Sequence, residues 1–350
     1  MKSLWLLLIN EISKDSTLAQ NQLVNSGQYD DLFRASAYDD PDILILRWLR
    51  ARKFDADAAV RQLIDTLKWR REWGVDKLIA NGEKELVEDE LLTDKSYFLG
   101  KDRENRPVIY IHAKDHIKDE FPVHATQKLA ILSVETGRKL LEYPTETVTI
   151  VIDMNGFSMS NMDYQLVKFF IFLLENHYPE SLGLALILHA PFIFQSCWSI
   201  IRHWLDPVVE AKIRFIRHVD DLQEYIHSNS IPRRLNGTHP DYHYIPPTDE
   251  DLKILKEFHN DKQGRKIVRA NHRKAMQIYL DLTLKWAKGD DSVIEQRKQA
   301  TKQLRDTFEK LVPYFQTRTS YHRAGIIHEP IFDTVYHKIC ANKESNIVEF

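Results

Sequence analysis

Apolar residues in the middle of the chain fall in short, nearly unbroken runs of branched side chains, at Val108 to His112, Val148 to Met154, Leu184 to His189 and Ile213 to Val219. The segments between these runs suit helices. Strands that read as continuous rather than alternating are buried on both faces, so the pattern predicts a mainly parallel sheet covered by helices and joined by right-handed crossovers, an α/β domain. Upstream the period is helical. Asp40-Pro41 is an N-cap followed by proline at the first helical position, which opens a short helix to about Lys53. A second helix, from Asp57 to Trp73, places Val60, Leu63, Ile64 and Leu67 at i, i+3, i+4, i+7 and stops at Gly74.

Three further segments are too apolar for a simple surface helix. From Met162 to Asn176 almost no polar face remains, which predicts a helix buried on several sides, with the wall of a lipid cavity as the alternative of the same appearance. From Pro191 to Leu205, Phe192, Ile193, Phe194, Trp198, Ile200, Ile201 and Trp204 crowd a helix bounded by Pro191 and Pro207. Near the start, Leu4 to Ile9 is far short of the roughly 20 residues that cross a bilayer. It reads as a helix packed on the body, with an interfacial anchor or a poor signal sequence as alternatives. Pro246-Pro247 marks a boundary beyond which the chain turns charged and helical. There Ala275, Ile278, Tyr279, Leu282 and Trp286 form one stripe, whose expected partner is the α/β body.

At 350 residues and 43% hydrophobic, the chain is long enough to bury a large core. Its 48 basic and 51 acidic residues leave a formal charge of -3, so no global field attracts nucleic acid, and any basic site must be local. Two cysteines, Cys197 and Cys340, permit at most one disulfide and fit a reducing compartment. None of the 11 glycines builds a phosphate cradle, and no His-Glu-x-x-His pair occurs. No metal and no cofactor is expected, and His177, His189 and His203 read as structural histidines. Gly156-Phe157-Ser158-Met159-Ser160 resembles a nucleophile elbow but lacks its second glycine, which leaves a lipid esterase using Ser158 as a minor alternative.

Four motifs stand in a fixed order: Leu49-Arg50-Ala51-Arg52-Lys53-Phe54, Arg106-Pro107-Val108, Tyr178-Pro179-Glu180, and the stretch from Leu205 to Val219 that contains Leu-Asp-Pro and then Lys212. Together they resemble the CRAL-TRIO family of lipid-binding and lipid-transfer proteins, over roughly Asp40 to Gly237. The run Leu311-Val312-Pro313-Tyr314-Phe315, with Arg318-Thr319 and Tyr321-His322-Arg323, is similar to the C-terminal extension of a fungal phosphatidylinositol-transfer subgroup. The resemblance implies a leader (1–37), an N-terminal helical module (38–80), a lipid-binding domain with a gate helix (81–245) and a helical C-terminal extension (246–350). It implies a cytoplasmic carrier, not an enzyme, that meets membrane surfaces transiently and moves or presents phosphatidylinositol.

Carried over by motif, Arg52, Glu180 and Lys212 are the head-group residues, and Phe192, Phe194, Trp198, Ile201 and Trp204 belong to the gate. A buried phosphate needs a cation, and a ring of hydroxyls needs acceptors. The family's site usually has threonine at Val209 and a basic residue at Ser181. One lost neutral hydrogen bond is worth about 1 kcal/mol against about 3–5 for an uncompensated buried charge, so retaining the cations outweighs that loss. In relatives that take phosphatidylcholine, two serines and two tyrosines surround the choline. Here the serines are Ser158 and Ser160, while Phe98 and Ile109 stand at the tyrosine positions. Phe98 can still offer a ring face to a quaternary ammonium, at roughly 0.5–2 kcal/mol, and Ile109 cannot. The second ligand of that pocket is then an uncharged hydrophobe such as a sterol, squalene or an acyl chain. Other readings are a neutral-lipid carrier without phosphoinositide binding, and an interaction module that recruits a partner through the C-terminal helices.

Overall fold

A computed structural model describes residues 1–14, 27–329 and 331–332. The chain forms two compact units that interleave in sequence: unit 1 takes Met1–Asn81, Pro247–Arg318 and the chain from His328, and unit 2 takes Gly82–Pro246 and Thr319–Ile327. Cys340 lies outside the described residues.

Unit 1 is helical. Its N-terminal part contributes α1 (Lys2–Lys14), α2 (Gly27–Ser36), α3 (Pro41–Ala51), α4 (Ala56–Trp73) and α5 (Val75–Asn81), and its C-terminal part α11 (Asp249–Asn260), α12 (Lys262–Ala287) and α13 (Ile294–Phe315). The caps follow the sequence signals. The Asp40 carboxylate accepts from the Asp42 N–H, and Gly74 closes α4 in the left-handed conformation at φ 65°. The early apolar run is a packed helix, in which Leu4, Trp5, Leu8, Ile9 and Ile12 join Val60, Leu63 and Leu67 of α4 in one core. That core also takes Ala275 and Tyr279, with Ile278, Leu282 and Trp286 at its border. The stripe on α12 therefore packs on the N-terminal helices and α13, which corrects the expectation that the α/β body covers it. It is also not a free surface for recruiting a partner. At the centre, Asp42 accepts from Trp5 Nε1 at 2.6 Å and from both arms of Arg297 at 2.6 and 2.7 Å, a bidentate pair that ties α1, α3 and α13 together.

Unit 2 is the α/β body. Its sheet is β1 (Ser96–Lys101), β2 (Pro107–His112), β3 (Val148–Asp153), β4 (Leu182–Leu188) and β5 (Ile213–Ile216), in spatial order 1-2-3-4-5. β1 runs antiparallel to β2, and every other pair is parallel. The mainly parallel sheet is as expected. β1 was not foreseen, and β5 ends at Ile216 rather than Val219, where a 3-10 turn begins. The helices are α6 (Glu88–Leu92), α7 (Val123–Lys139), α8 (Tyr164–Phe172), α9 (Phe194–Ile201), α10 (Pro207–Glu210) and α14 (Ser320–Arg323).

Because each parallel strand is added on the same side of the last, the crossover helices α7, α8 and α9 share one face of the sheet. The opposite face is closed by the turns after β5 and by the returning segment with α14. Leu222, Ile226, Ile231, Leu235 and Tyr242 pack there on Tyr97, Tyr110, Val151, Leu186 and Leu188. Tyr242 stacks on Tyr97 at 5.0 Å and on Tyr321 at 5.5 Å. Arg323 pairs with Glu83 in a buried contact that holds the return segment.

Candidate functional site

The two faces of the sheet are filled differently. On the turn-covered face Val108, Tyr110, Val151, Leu186 and Leu188 are buried. On the helix-covered face the register aligns two apolar rows, Phe98, Ile109, Ile150, Ala185 and Ile213, then Ile111, Ile152, Ile187 and Phe215. There Ile109, Ile111, Ile150, Ile152 and Ile213 are only half-buried, and Phe215 is 47% exposed. The facing helix matches. In α8 only Phe169 is buried, Leu166, Val167, Phe170 and Ile171 are half-buried, and Phe172 is 43% exposed. The expectation of a helix buried on several sides is thus corrected. Its apolar side, like the β2 and β3 rows, stays half-exposed, and we read these two surfaces as the walls of an apolar gap. A parallel strand normally has both faces covered, so this half-exposed apolar face is the candidate binding surface. A separate cleft lined by Glu83, Asp94, Lys95 and Tyr242 holds about 40 Å³, space for a few water molecules and not an acyl chain.

The segment after β4 caps the gap. Instead of one helix from Pro191 to Leu205, a turn leads into α9 and a 3-10 turn follows over Arg202–Trp204. Phe194, Cys197 and Ile201 point inward onto Met154, Met162 and Ile187. Trp198 meets the Phe215 ring edge-on at 5.3 Å, and Trp204 meets Tyr164 at 5.7 Å. Phe192 is 85% exposed, and Ile193 and Ile200 are exposed beside it. The expected gate residues therefore divide into an inward set and one, Phe192, that faces solvent.

The head-group residues are placed as follows. In unit 1, Arg52 is the C-cap of α3, with Lys53 and Phe54 left-handed at φ 51° and 68°. The Phe54 N–H donates to the Leu49 carbonyl at 2.8 Å and the Lys53 N–H to the Arg50 carbonyl at 2.9 Å, a Schellman closure. Among the described residues no carboxylate pairs with the Arg52 guanidinium. In unit 2, Glu180 is half-buried at φ 56°, just before β4. Lys212 lies between α10, which Asp206 caps and Pro207 opens, and β5. Its Nζ donates to the Leu182 carbonyl at 2.8 Å, at the start of β4. Among the described residues this half-buried ammonium has no carboxylate partner. Lys212 and Glu180 thus share the amino end of the β4–β5 pair, and Arg52 stands in the other unit.

Of the second-ligand residues, Phe98 and Ile109 are cross-strand partners on the gap face. Phe98 is 2% exposed, and a Cβ built at Gly137 of α7 would lie 2.7 Å from its Cζ. Its tip is lodged against α7, where a hydroxyl would strike the helix. Ser158 and Ser160 are exposed after β3, their hydroxyls 2.7 Å apart, and Ser158 Oγ also donates to Asn161 Oδ1 at 2.9 Å. Neither partner is a base for a nucleophile.

Gly137 was not singled out from the sequence, where a glycine inside a helix is its only signal, and Tyr321 was noted only as part of the C-terminal motif, with no sign of its contact to β1. At the carboxyl ends of β2 to β4, Tyr97 Oη and His112 Nε2 are 3.1 Å apart, His112 Nδ1 is 3.5 Å from Asp153, and Asp153 is 3.0 Å from His189 Nδ1. Burial pulls the Asp153 carboxyl up, but bonds from His112, His189 and the Asn155 N–H outweigh it and hold it at about 2. His189 is accordingly a satisfied structural histidine. Among the described residues no group of three His, Cys, Asp or Glu side chains could hold a metal, and no helix is long and apolar enough to cross a membrane.

Residues 92–237 match the CRAL/TRIO domain, and residues 14–65 match the CRAL/TRIO, N-terminal domain. The chain is 38% identical over 298 residues to a CRAL-TRIO domain-containing protein of Schizosaccharomyces pombe, covering 83% of this chain and 66% of that one. It is 33% identical over 306 residues to the phosphatidylinositol transfer protein CSR1 of Eremothecium gossypii, covering 83% and 69%. The crystal structure of Sfh5 aligns with a TM-score of 0.53 at 19% identity, covering 73% of this chain and 96% of that chain, a likeness of fold.

Proposed function

The chain belongs to the CRAL/TRIO domain family, and from that premise we propose that it holds phosphatidylinositol in the apolar gap of unit 2 and transfers or presents it between membranes. The observation that carries this reading is the half-buried row of β2 and β3 facing an equally half-buried α8. Acyl chains covering that surface gain about 0.8 kcal/mol per buried methylene, which no side chain of the protein supplies there. Lys212 supports an anionic head group. An ammonium has three donors, of which this one uses one, on a neutral carbonyl. Glu180 is the acceptor for ring hydroxyls. The relative CSR1 carries phosphatidylinositol transfer in its name, which supports the same ligand class.

Release requires the gap to open. α9 is the proposed gate, with Phe192, Ile193 and Ile200 entering the interface of a membrane that the protein visits from the cytoplasm. The protein acts as a carrier, not a catalyst. A second reading, a carrier for a sterol, squalene or acyl chain, is favoured by the apolar Phe98 and Ile109 where choline-binding relatives have tyrosines. Mass spectrometry of lipids extracted from the purified protein decides between them. Phosphatidylinositol is the expected ligand, and a neutral hydrophobe alone would sink the head-group assignment while leaving the pocket.

A further inference from the structure

We propose that Phe98 and Gly137 form the end stop of the lipid gap and set the acyl length it accepts, an inference that rests on the lipid-binding reading above. The gap face begins at Phe98. That residue is 2% exposed, whereas Ile109 and Ile150, next in the same row, are half-buried. The half-exposed part of this face therefore begins directly past the aromatic ring.

The ring is held from three sides. Its tip enters a notch in the last turn of α7, where a Cβ on Gly137 would stand 2.7 Å from Cζ and 3.3 Å from Cε1. Glycine is a poor helix residue, and here the missing side chain is what lets the ring seat. From the edge of the sheet, the Tyr321 ring meets Phe98 at 6.1 Å with planes at 69°, and the Tyr321 hydroxyl accepts from the Phe98 N–H at 3.3 Å. β1 is an edge strand, so that hydroxyl occupies a donor that would otherwise face outward. Across the strand pair stands Ile109. A side chain fixed by a helix notch, a strand partner and an edge clamp does not yield to a ligand as a free rotamer would. An acyl chain that enters on the gate side, over β4, and runs toward β1 ends against this ring.

The test is equilibrium loading from vesicles that carry phosphatidylinositol of graded acyl length, from myristoyl to docosanoyl. In the wild type, occupancy should rise with length to a cut-off and then stop rising or fall. Phe98→Ala should move the cut-off to longer chains, each newly accepted methylene raising loading about fourfold, the equivalent of about 0.8 kcal/mol. Gly137→Ala fills the notch, drives the ring into the gap and should move the cut-off the other way. Phe98→Leu, which keeps most of the buried volume, carries the test should the alanine variant fail to fold. A folded Phe98 variant with the wild-type length profile overturns the end stop and leaves the lipid pocket standing. Failure of the wild type to load any length overturns the lipid reading itself, and the end stop with it.

Discussion

Lys212→Met separates the charge of the proposed head-group lysine from its bulk, since methionine keeps most of the stem and removes the ammonium. In the unliganded protein the loss is the bond from Nζ to the Leu182 carbonyl, 2.8 Å long and half-buried, worth about 1 kcal/mol. With a phosphate bound, a charge-assisted bond disappears as well. Such bonds contribute about 1.5–3 kcal/mol, so phosphatidylinositol binding should weaken roughly 10- to 150-fold. Transfer of labelled phosphatidylinositol between donor and acceptor vesicles measures the effect. Loading of a labelled sterol serves as the uncharged control and should not change. Salt gives a second signature. At 0.1 M the screening length is about 10 Å, so wild-type loading should fall with ionic strength more steeply than that of the variant. A Lys212→Met protein that melts normally and transfers phosphatidylinositol as the wild type does would refute the assignment.

Phe192 is 85% exposed, so Phe192→Ser should change stability by no more than about 0.5 kcal/mol yet slow lipid exchange at unchanged equilibrium occupancy; equal initial transfer rates would count against the gate. Against burial, the histidines hold the Asp153 carboxyl down at about 2 in the folded protein, below its unfolded value, so its stabilisation is present above roughly pH 4 and lost as pH falls through 2. Urea midpoints followed from neutral to acid pH should show that slope, and Asp153→Asn should lower the neutral plateau and flatten the acid limb; parallel curves would mean that the histidines do not hold the carboxylate. Tyr321→Phe removes the acceptor for the Phe98 N–H and should cost about 1 kcal/mol by thermal or chemical denaturation, whereas no change would show that water replaces it without penalty.

The strands β2 to β4 were legible because unbroken branched runs have few other uses in a chain of this composition. β1 was not. Ser96–Lys101 offers three large apolar residues in a row, and its edge is completed by Tyr321, 223 residues further on. The helix at Tyr164–Phe172 misled for a different reason. An apolar wall facing a lipid gap and an apolar helix facing protein have the same composition, and only the half-exposure of Leu166, Val167 and Phe170 tells them apart. The α12 stripe announced that it needed a partner but not which one, because amphipathicity fixes a face and leaves its complement open. Of the candidate site, the motifs supplied Glu180 and Lys212, which the fold brings to one end of the β4–β5 pair. That the Phe98 tip would be spent on Gly137 could not be foreseen, since nothing in either residue's neighbourhood names the other.

Unit 2 contains the segment Thr319–Ile327, although the chain before it, from Pro247 to Arg318, is built into unit 1. A ribosome making this protein finishes all five strands well before it makes Tyr321, Arg323 and the rest of the segment that closes their far face. Until then the nascent sheet shows an uncovered edge at β1, the kind of surface that pairs with strands of other chains. Closing so long a loop adds little to the free-energy cost, which grows only logarithmically with length, but it delays completion. The protein should therefore depend on holding chaperones during synthesis. A chain shortened to end at Pro246 should aggregate rather than yield a small working lipid domain.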